Sequence, residues 1–167
     1  ATRTLAARFR ERFGQESFLS LHLPAFKANP LGPDLADQET PLAWAAALGV
    51  DDLTIHLPGG AVAQLYDAQQ EFQDSEWSRQ CRQRYLTLAE RALAMGARLS
   101  LENLYNKAIV PPAEELLSCR PWHLLRLVAW LRAELAKRGH AKAAQERIGV
   151  IFDSGHAFND PLVSKVH

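Results

Sequence analysis

Four short apolar runs set the terms for this chain: Leu19-Ser20-Leu21-His22, Leu53-Thr54-Ile55-His56, Leu99-Ser100-Leu101-Glu102 and Val150-Ile151-Phe152-Asp153. Each has the length of a strand, and the segments between them are long enough to carry a helix and return. Strands joined through helices pair in parallel, because the helix brings the chain back to the starting edge and covers the sheet on the way. The expected class is therefore α/β, with about four parallel strands alternating with helices. A barrel and an open sheet are the two ways such a pattern closes. In both, the carboxyl ends of the strands reach a common rim.

The intervening segments carry their own punctuation. Leu5, Phe9 and Phe13 recur at helical spacing before Gly14, which suits a first helix ending in a glycine cap. Pro24, Pro30, Gly32 and Pro33 predict an irregular loop after the first strand. Thr40-Pro41 reads as an N-cap and first-turn proline of a short helix that stops at Gly49, and Asp51 and Asp52 as the return turn. Pro58-Gly59-Gly60 predicts a tight turn in a loop. A longer helix is expected from Asp74 or Ser75 to Met95, with Trp77, Cys81, Tyr85, Leu88 and Ala92 along one stripe and Gly96 at its end. A further helix should run from Pro121 to Arg138, with Leu124, Val128, Leu131 and Leu135 inward and Gly139 closing it. His140 to Arg147 reads as a polar connection, and Pro161 limits any element beyond the last strand.

A chain of 167 residues fits one domain able to bury a core. Lys plus Arg and Asp plus Glu number 19 each, so no global basic field attracts nucleic acid or anionic membranes, and only a local patch is left for that role. No apolar run reaches the length of a membrane span, and the Arg-bearing amino terminus lacks the apolar stretch of a secretory signal, which makes the cytoplasm the expected compartment. Cys81 and Cys119 lack metal-type spacing and read as reduced packing residues. Trp44, Trp77, Trp122 and Trp130 fall on predicted helices, where packing in the core or at an interface is the expected role. His123 and His140 read as solvated surface groups, and the terminal His167 carries no signal.

The strand ends carry the chemistry. His22, His56, Glu102 and Asp153 each stand at a carboxyl end, with His156 just beyond the last. A lone histidine there is most often a hydrogen-bonded structural residue, a lone glutamate pairs with arginine, and a lone aspartate caps a turn. Gathered on one rim, imidazoles and carboxylates make a site for a divalent metal. Phe26, Tyr105 and Phe158 lie in rim loops, where a pocket-shaping role and an ordinary loop role weigh equally, and Lys27 and Lys107, also in rim loops, read first as ordinary exposed lysines and second as cations for a substrate phosphate.

His22-Leu23-Pro24, His56-Leu57-Pro58-Gly59, Leu101-Glu102-Asn103 and Phe152-Asp153-Ser154-Gly155-His156-Ala157 resemble the successive strand-end motifs of the xylose-isomerase-like TIM barrels. That superfamily holds sugar and sugar-phosphate isomerases or epimerases and the endonuclease IV-type phosphodiesterases. The resemblance implies a partial (β/α)8 TIM barrel spanning residues 1–167 as one domain, matching the second to fifth strands of eight. Half a barrel leaves open edges, so it further implies a longer protein or completion by a second copy. By the same resemblance Glu102 binds metal or moves a proton, Asp153 binds metal, and His156 contacts substrate or an additional metal. His22 and His56 match histidines that complete the metal site in the hydrolase branch. Two departures weigh against DNA repair: His56 is followed by Leu57 before Pro58, and Asn103-Leu104-Tyr105 stands where a threonine-alanine-glycine run is expected.

The leading expectation is thus a divalent-metal isomerase or epimerase acting on a sugar or sugar-phosphate-like small molecule, with Glu102 and His156 as catalytic residues and Zn, Mn or Mg as the cofactor. An endonuclease IV-like phosphoester hydrolase is the alternative. A non-catalytic binding or assembly module that keeps a decayed pocket is the third.

Overall fold

Strands β1 (Ser20–His22), β2 (Asp52–His56), β3 (Arg98–Glu102) and β4 (Ile148–Ile151) lie side by side in chain order, and every neighbouring pair is parallel. The computed structural model describes residues 5–26, 35–106 and 110–159. Lys27, Lys107, Pro161, His167 and the Pro30 to Pro33 stretch of the first loop lie outside the described residues, as does the side chain of Phe158. The helices are α1 (Leu5–Phe13), α2 (Glu39–Leu48), α3 (Val62–Leu65), α4 (Glu76–Ala94), α5 (Pro121–Lys137), α6 (Ala141–Arg147) and α7 (Ser154–Asn159).

Strand order that never reverses distinguishes a barrel arc from a doubly wound sheet, in which the order switches so that helices cover both faces. Here Leu53, Leu99 and Ile148 occupy one row across the sheet, and Ile55 and Leu101 a second, all five buried. They meet Tyr85, Leu88, Ala92, Leu124, Leu131 and Leu135 of the covering helices in one core. Each such large aliphatic stabilises the fold by roughly 1.5–3 kcal/mol when removed from water. The alternate residues point to the opposite face, which carries Ser20, His22, Asp52, Thr54, His56, Ser100 and Glu102. The molecule is α/β, four parallel strands alternating with helices, in the arrangement of an arc of a (β/α)8 barrel.

The predicted stops hold because they rest on backbone chemistry. Gly49 takes the left-handed conformation (φ 68°), and its N–H donates to the Ala45 carbonyl at 2.9 Å. Ser75 caps α4 by accepting from the Ser78 N–H at 3.1 Å, and Pro121 opens α5. Cys81 lies buried in the core and Cys119 is half-buried, both as thiols.

Several expectations need correction. Helix α2 starts at Glu39 behind Gln38 and a short turn over Ala36–Gln38, so Thr40 is not its cap and Pro41 sits in the third helical position. A proline fits there as well, since the first-turn N–H groups have no partner within the helix. The polar connection after Gly139 is helix α6: alanine, lysine, glutamine and glutamate favour a helix, and Ala144 is buried. Polarity alone does not separate a loop from a solvated helix. Asp52 is no turn residue but the first residue of β2, and it is buried. Strand β4 ends at Ile151, because the N–H of Asp153 is drawn off the ladder to the Asn103 Oδ1 at 2.6 Å. Phe26 lies in the core edge-on to Tyr85, not in a substrate pocket, and of the two packing roles expected for Trp44 its 62% exposure excludes the core.

His123 departs furthest from its reading as a surface group: it is fully buried. Its ring lies 4.2 Å from that of Trp122 and stacks at 6.0 Å on Tyr66, whose O–H donates to the His123 carbonyl at 2.5 Å. Burial holds its imidazole down at about 4, since a charged ring would lose its hydration. A helical residue one place from an inward leucine can turn either way, and the segment around Tyr66 that covers it comes from a distant loop.

Candidate metal centre

Register brings the first three candidate ligands together. His56 and Glu102 are direct partners across β2 and β3, so their side chains leave the sheet beside one another on the same face. His22, whose partner is Thr54, sits one strand over and a row lower, and its ring reaches up to Glu102. The Nε2 of His22 lies 2.8 Å from Glu102 Oε2, and that of His56 lies 3.6 Å from the same oxygen. The two imidazole centroids are 4.8 Å apart. Glu102 is buried at 8% exposure, and its ion-pair partners among the described residues are these histidines, not an arginine.

Asp153 and His156 join from the other side. Asn103 grips the backbone of Asp153 in both directions: its Nδ2 donates to the Asp153 carbonyl at 3.0 Å and its Oδ1 accepts the Asp153 N–H. The Asn103 carbonyl also accepts from His156 Nδ1 at 2.7 Å. Asp153 caps α7, with Oδ1 accepting from the N–H groups of Gly155 at 2.7 Å and His156 at 3.3 Å. The His156 N–H leads in holding this carboxyl below its usual range. The turn-capping role weighed from sequence is thus real, and it occupies one oxygen of two. Tyr105 stands over the His156 ring at 5.7 Å, the one rim aromatic of the three considered whose described side chain faces the site.

Two ligand groups result, His22 with His56 and Glu102, and Glu102 with Asp153 and His156. Within each, the donor atoms lie within 4.8 Å of one another. Glu102 belongs to both.

Each of the three histidines turns Nδ1 to a backbone carbonyl. Nδ1 of His22 meets the Leu23 carbonyl at 3.0 Å, Nδ1 of His56 the Glu102 carbonyl at 3.3 Å, and Nδ1 of His156 the Asn103 carbonyl. A carbonyl only accepts, so each Nδ1 carries a proton, and in the neutral ring each Nε2 keeps its lone pair for a cation. Burial, the largest cause, lowers the pKa of His56 and favours this neutral form. His22 Nε2 and Glu102 Oε2 lie at hydrogen-bond distance, a contact that either a shared proton or a metal cation between them makes favourable. The donor set of imidazole nitrogens and carboxylates fits a borderline cation such as zinc, and also manganese.

Below this cluster lies a residue that sequence reasoning passed over as a turn. Asp52 accepts from the hydroxyls of Ser100 at 2.6 Å, Thr54 at 2.8 Å and Ser20 at 3.2 Å, a polar layer joining three strands. Its signal was the alternation Asp52, Thr54, His56, which puts all three on one face.

Fold and site together define an arc of parallel barrel strands with a cluster of imidazoles and carboxylates at its carboxyl rim. No protein-family model matches the sequence, and no curated protein matches it. Among solved structures, the chain is similar to the TTHB071 protein from Thermus thermophilus soaked with ZnCl2, at 24% identity and a TM-score of 0.48, covering 90% of this chain and 51% of that one. It is likewise similar to a D-tagatose 3-epimerase-like protein, at 19% identity and a TM-score of 0.48, covering 90% and 49%. The chain spans about half the length of the structures it matches. At these identities neither likeness transfers a residue role or an activity.

Proposed function

We propose that this chain carries the metal-binding half of an enzyme that isomerises or epimerises a sugar or sugar-phosphate-like small molecule. The observation that supports it most is the sharing of Glu102 between two candidate ligand groups, in one of which His22 and His56 both turn Nε2 to its carboxylate. His22, His56, Glu102 and Asp153 would hold the cation, and His156 would bind it or substrate. A divalent cation held there would supply polarisation of adjacent carbonyl and hydroxyl groups of a substrate, easing removal of a neighbouring carbon-bound proton.

The protein's own part is positioning and proton movement. Glu102, buried at the strand end, would take that proton when it is not held as a ligand. Fixed through Nδ1 on the Asn103 carbonyl, His156 offers Nε2 to a substrate hydroxyl without needing to reorient. Tyr105 beside it would wall the sugar ring on one side. An isomerase of this kind uses a second carboxylate across the substrate, which on this reading comes from strands that continue the barrel in a longer protein or from an associated second copy.

One observation favours phosphoester hydrolysis instead: the pairing of His22 and His56 around Glu102, a nitrogen-rich set suited to zinc and to activating water. The two readings part in one experiment. Metal-loaded protein, supplied with a panel of ketoses and their phosphates in D2O, is expected to exchange a carbon-bound proton for deuterium, read by NMR. Absence of exchange on every sugar, together with cleavage of bis(p-nitrophenyl) phosphate, would overturn the isomerase reading in favour of the hydrolase.

A further inference from the structure

We propose that Ser118 is a positioning residue for the cation ligands, fixing the peptide that follows His56 and the chain that follows Glu102. The inference rests on the metal-centre reading above and goes beyond it to a residue far from any strand-end motif.

Ser118 is fully buried and has a left-handed backbone (φ 73°), a conformation that strains any residue bearing a Cβ and that glycine adopts freely. Its side chain has a definite task at that position. The hydroxyl oxygen accepts from the Leu57 N–H at 3.0 Å, and the Ser118 carbonyl accepts from the Leu104 N–H at 3.1 Å. Leu57 follows His56 directly, and Leu104 lies two residues past Glu102.

The peptide between His56 and Leu57 is held at both polar ends. Its N–H goes to Ser118, and its carbonyl, that of His56, accepts from the Tyr85 hydroxyl at 2.7 Å. A peptide plane pinned on both sides cannot rotate, so the direction in which His56 leaves its Cα is set before any cation arrives. On the other side, Leu104 adjoins Asn103, which grips Asp153 and His156. One buried serine therefore stands between the exits of β2 and β3, in reach of both ligand groups.

The loop that carries Ser118 is tethered without its hydroxyl. The Val62 N–H donates to the Glu115 carbonyl at 2.7 Å, the Leu117 N–H to the Gly60 carbonyl at 3.0 Å, and the Leu116 N–H to Asn106 Oδ1 at 2.9 Å. Removing the Ser118 hydroxyl thus leaves the segment in place and frees one peptide beside a ligand.

The test is calorimetric titration of the metal-free protein with Zn2+, for the wild type, Ser118→Ala and Ser118→Gly, beside urea unfolding of each metal-free form. Both variants are expected to bind Zn2+ roughly 10- to 100-fold more weakly, as when the partner that orients a ligand is lost. Ser118→Gly, relieved of its backbone strain, is expected to keep its urea midpoint, a result that a merely structural role would not produce alongside weakened binding. Wild-type affinity in either variant overturns the positioning role while leaving the metal centre standing. Failure of the wild type to bind Zn2+ overturns both. Unfolding of both variants also overturns the proposal, because the serine then serves the fold and not the site.

Discussion

At Glu102 a buried carboxylate faces two imidazole Nε2 atoms, so its charge matters to a cation far more than to the surrounding core. Glu102→Gln keeps the shape and removes the charge. The wild type is expected to gain melting temperature with Zn2+ and Glu102→Gln to lose that gain, read by differential scanning fluorimetry; an undiminished gain in the variant would remove Glu102 from the proposed ligand set. His123 supplies a second residue-scale expectation, tied to stability. Its folded pKa of about 4 lies below the ordinary 6.5, so the unfolded chain takes up a proton first as pH falls. Its contribution is whole above about pH 6.5 and is lost as pH drops toward 4, by roughly 3 kcal/mol at 1.36 kcal/mol per unit. His56 shifts in the same direction, so the measurement is the difference between wild type and His123→Gln in urea unfolding across that window. Equal pH slopes in the two proteins would contradict a neutral buried His123.

Among the elements, α4 depends on one side chain for its start. Ser75→Ala removes the acceptor for the Ser78 N–H and is expected to cost about 1 kcal/mol in chemical unfolding, with Zn2+ affinity unchanged. Helix α7 depends on a longer reach: it follows Asp153, which Asn103 holds to the exit of β3. Asn103→Ala is expected to lose the same component of Zn2+ binding as His156→Ala, and to keep the component that depends on His22. Retention of both components by calorimetry would show that the clasp does not orient the second group. Element existence was legible wherever backbone chemistry dictated it, as at Gly49 and Pro121. Element identity failed at α6, where a solvated helix and a polar loop share a composition.

For the whole molecule the question of completeness lies at the sheet margins. Val150, Ile151 and Phe152 are 44%, 44% and 64% exposed on and just past a strand that, among the described residues, is paired on one side only, and such an edge invites further pairing. We propose that in the functional protein this edge is covered, by continuing barrel strands or by a second copy. The 167-residue chain by itself is expected to self-associate with rising concentration in sedimentation velocity, and Ile151→Lys to weaken that association. A monomer at every concentration, with no response to the substitution, would sink the proposal.

The sequence by itself determined the alternation of strands and helices, the glycine stops, and the set His22, His56, Glu102, Asp153 and His156 at one rim, because period, backbone freedom and parallel crossover are local or purely topological. Only the tertiary structure decided which of them touch: that Glu102 is common to two groups, that Asn103 and Ser118 clasp the strand exits, and that Asp52 and His123 are buried. Those facts depend on register between strands and on loops folding over distant segments, neither of which leaves a mark in the neighbouring residues.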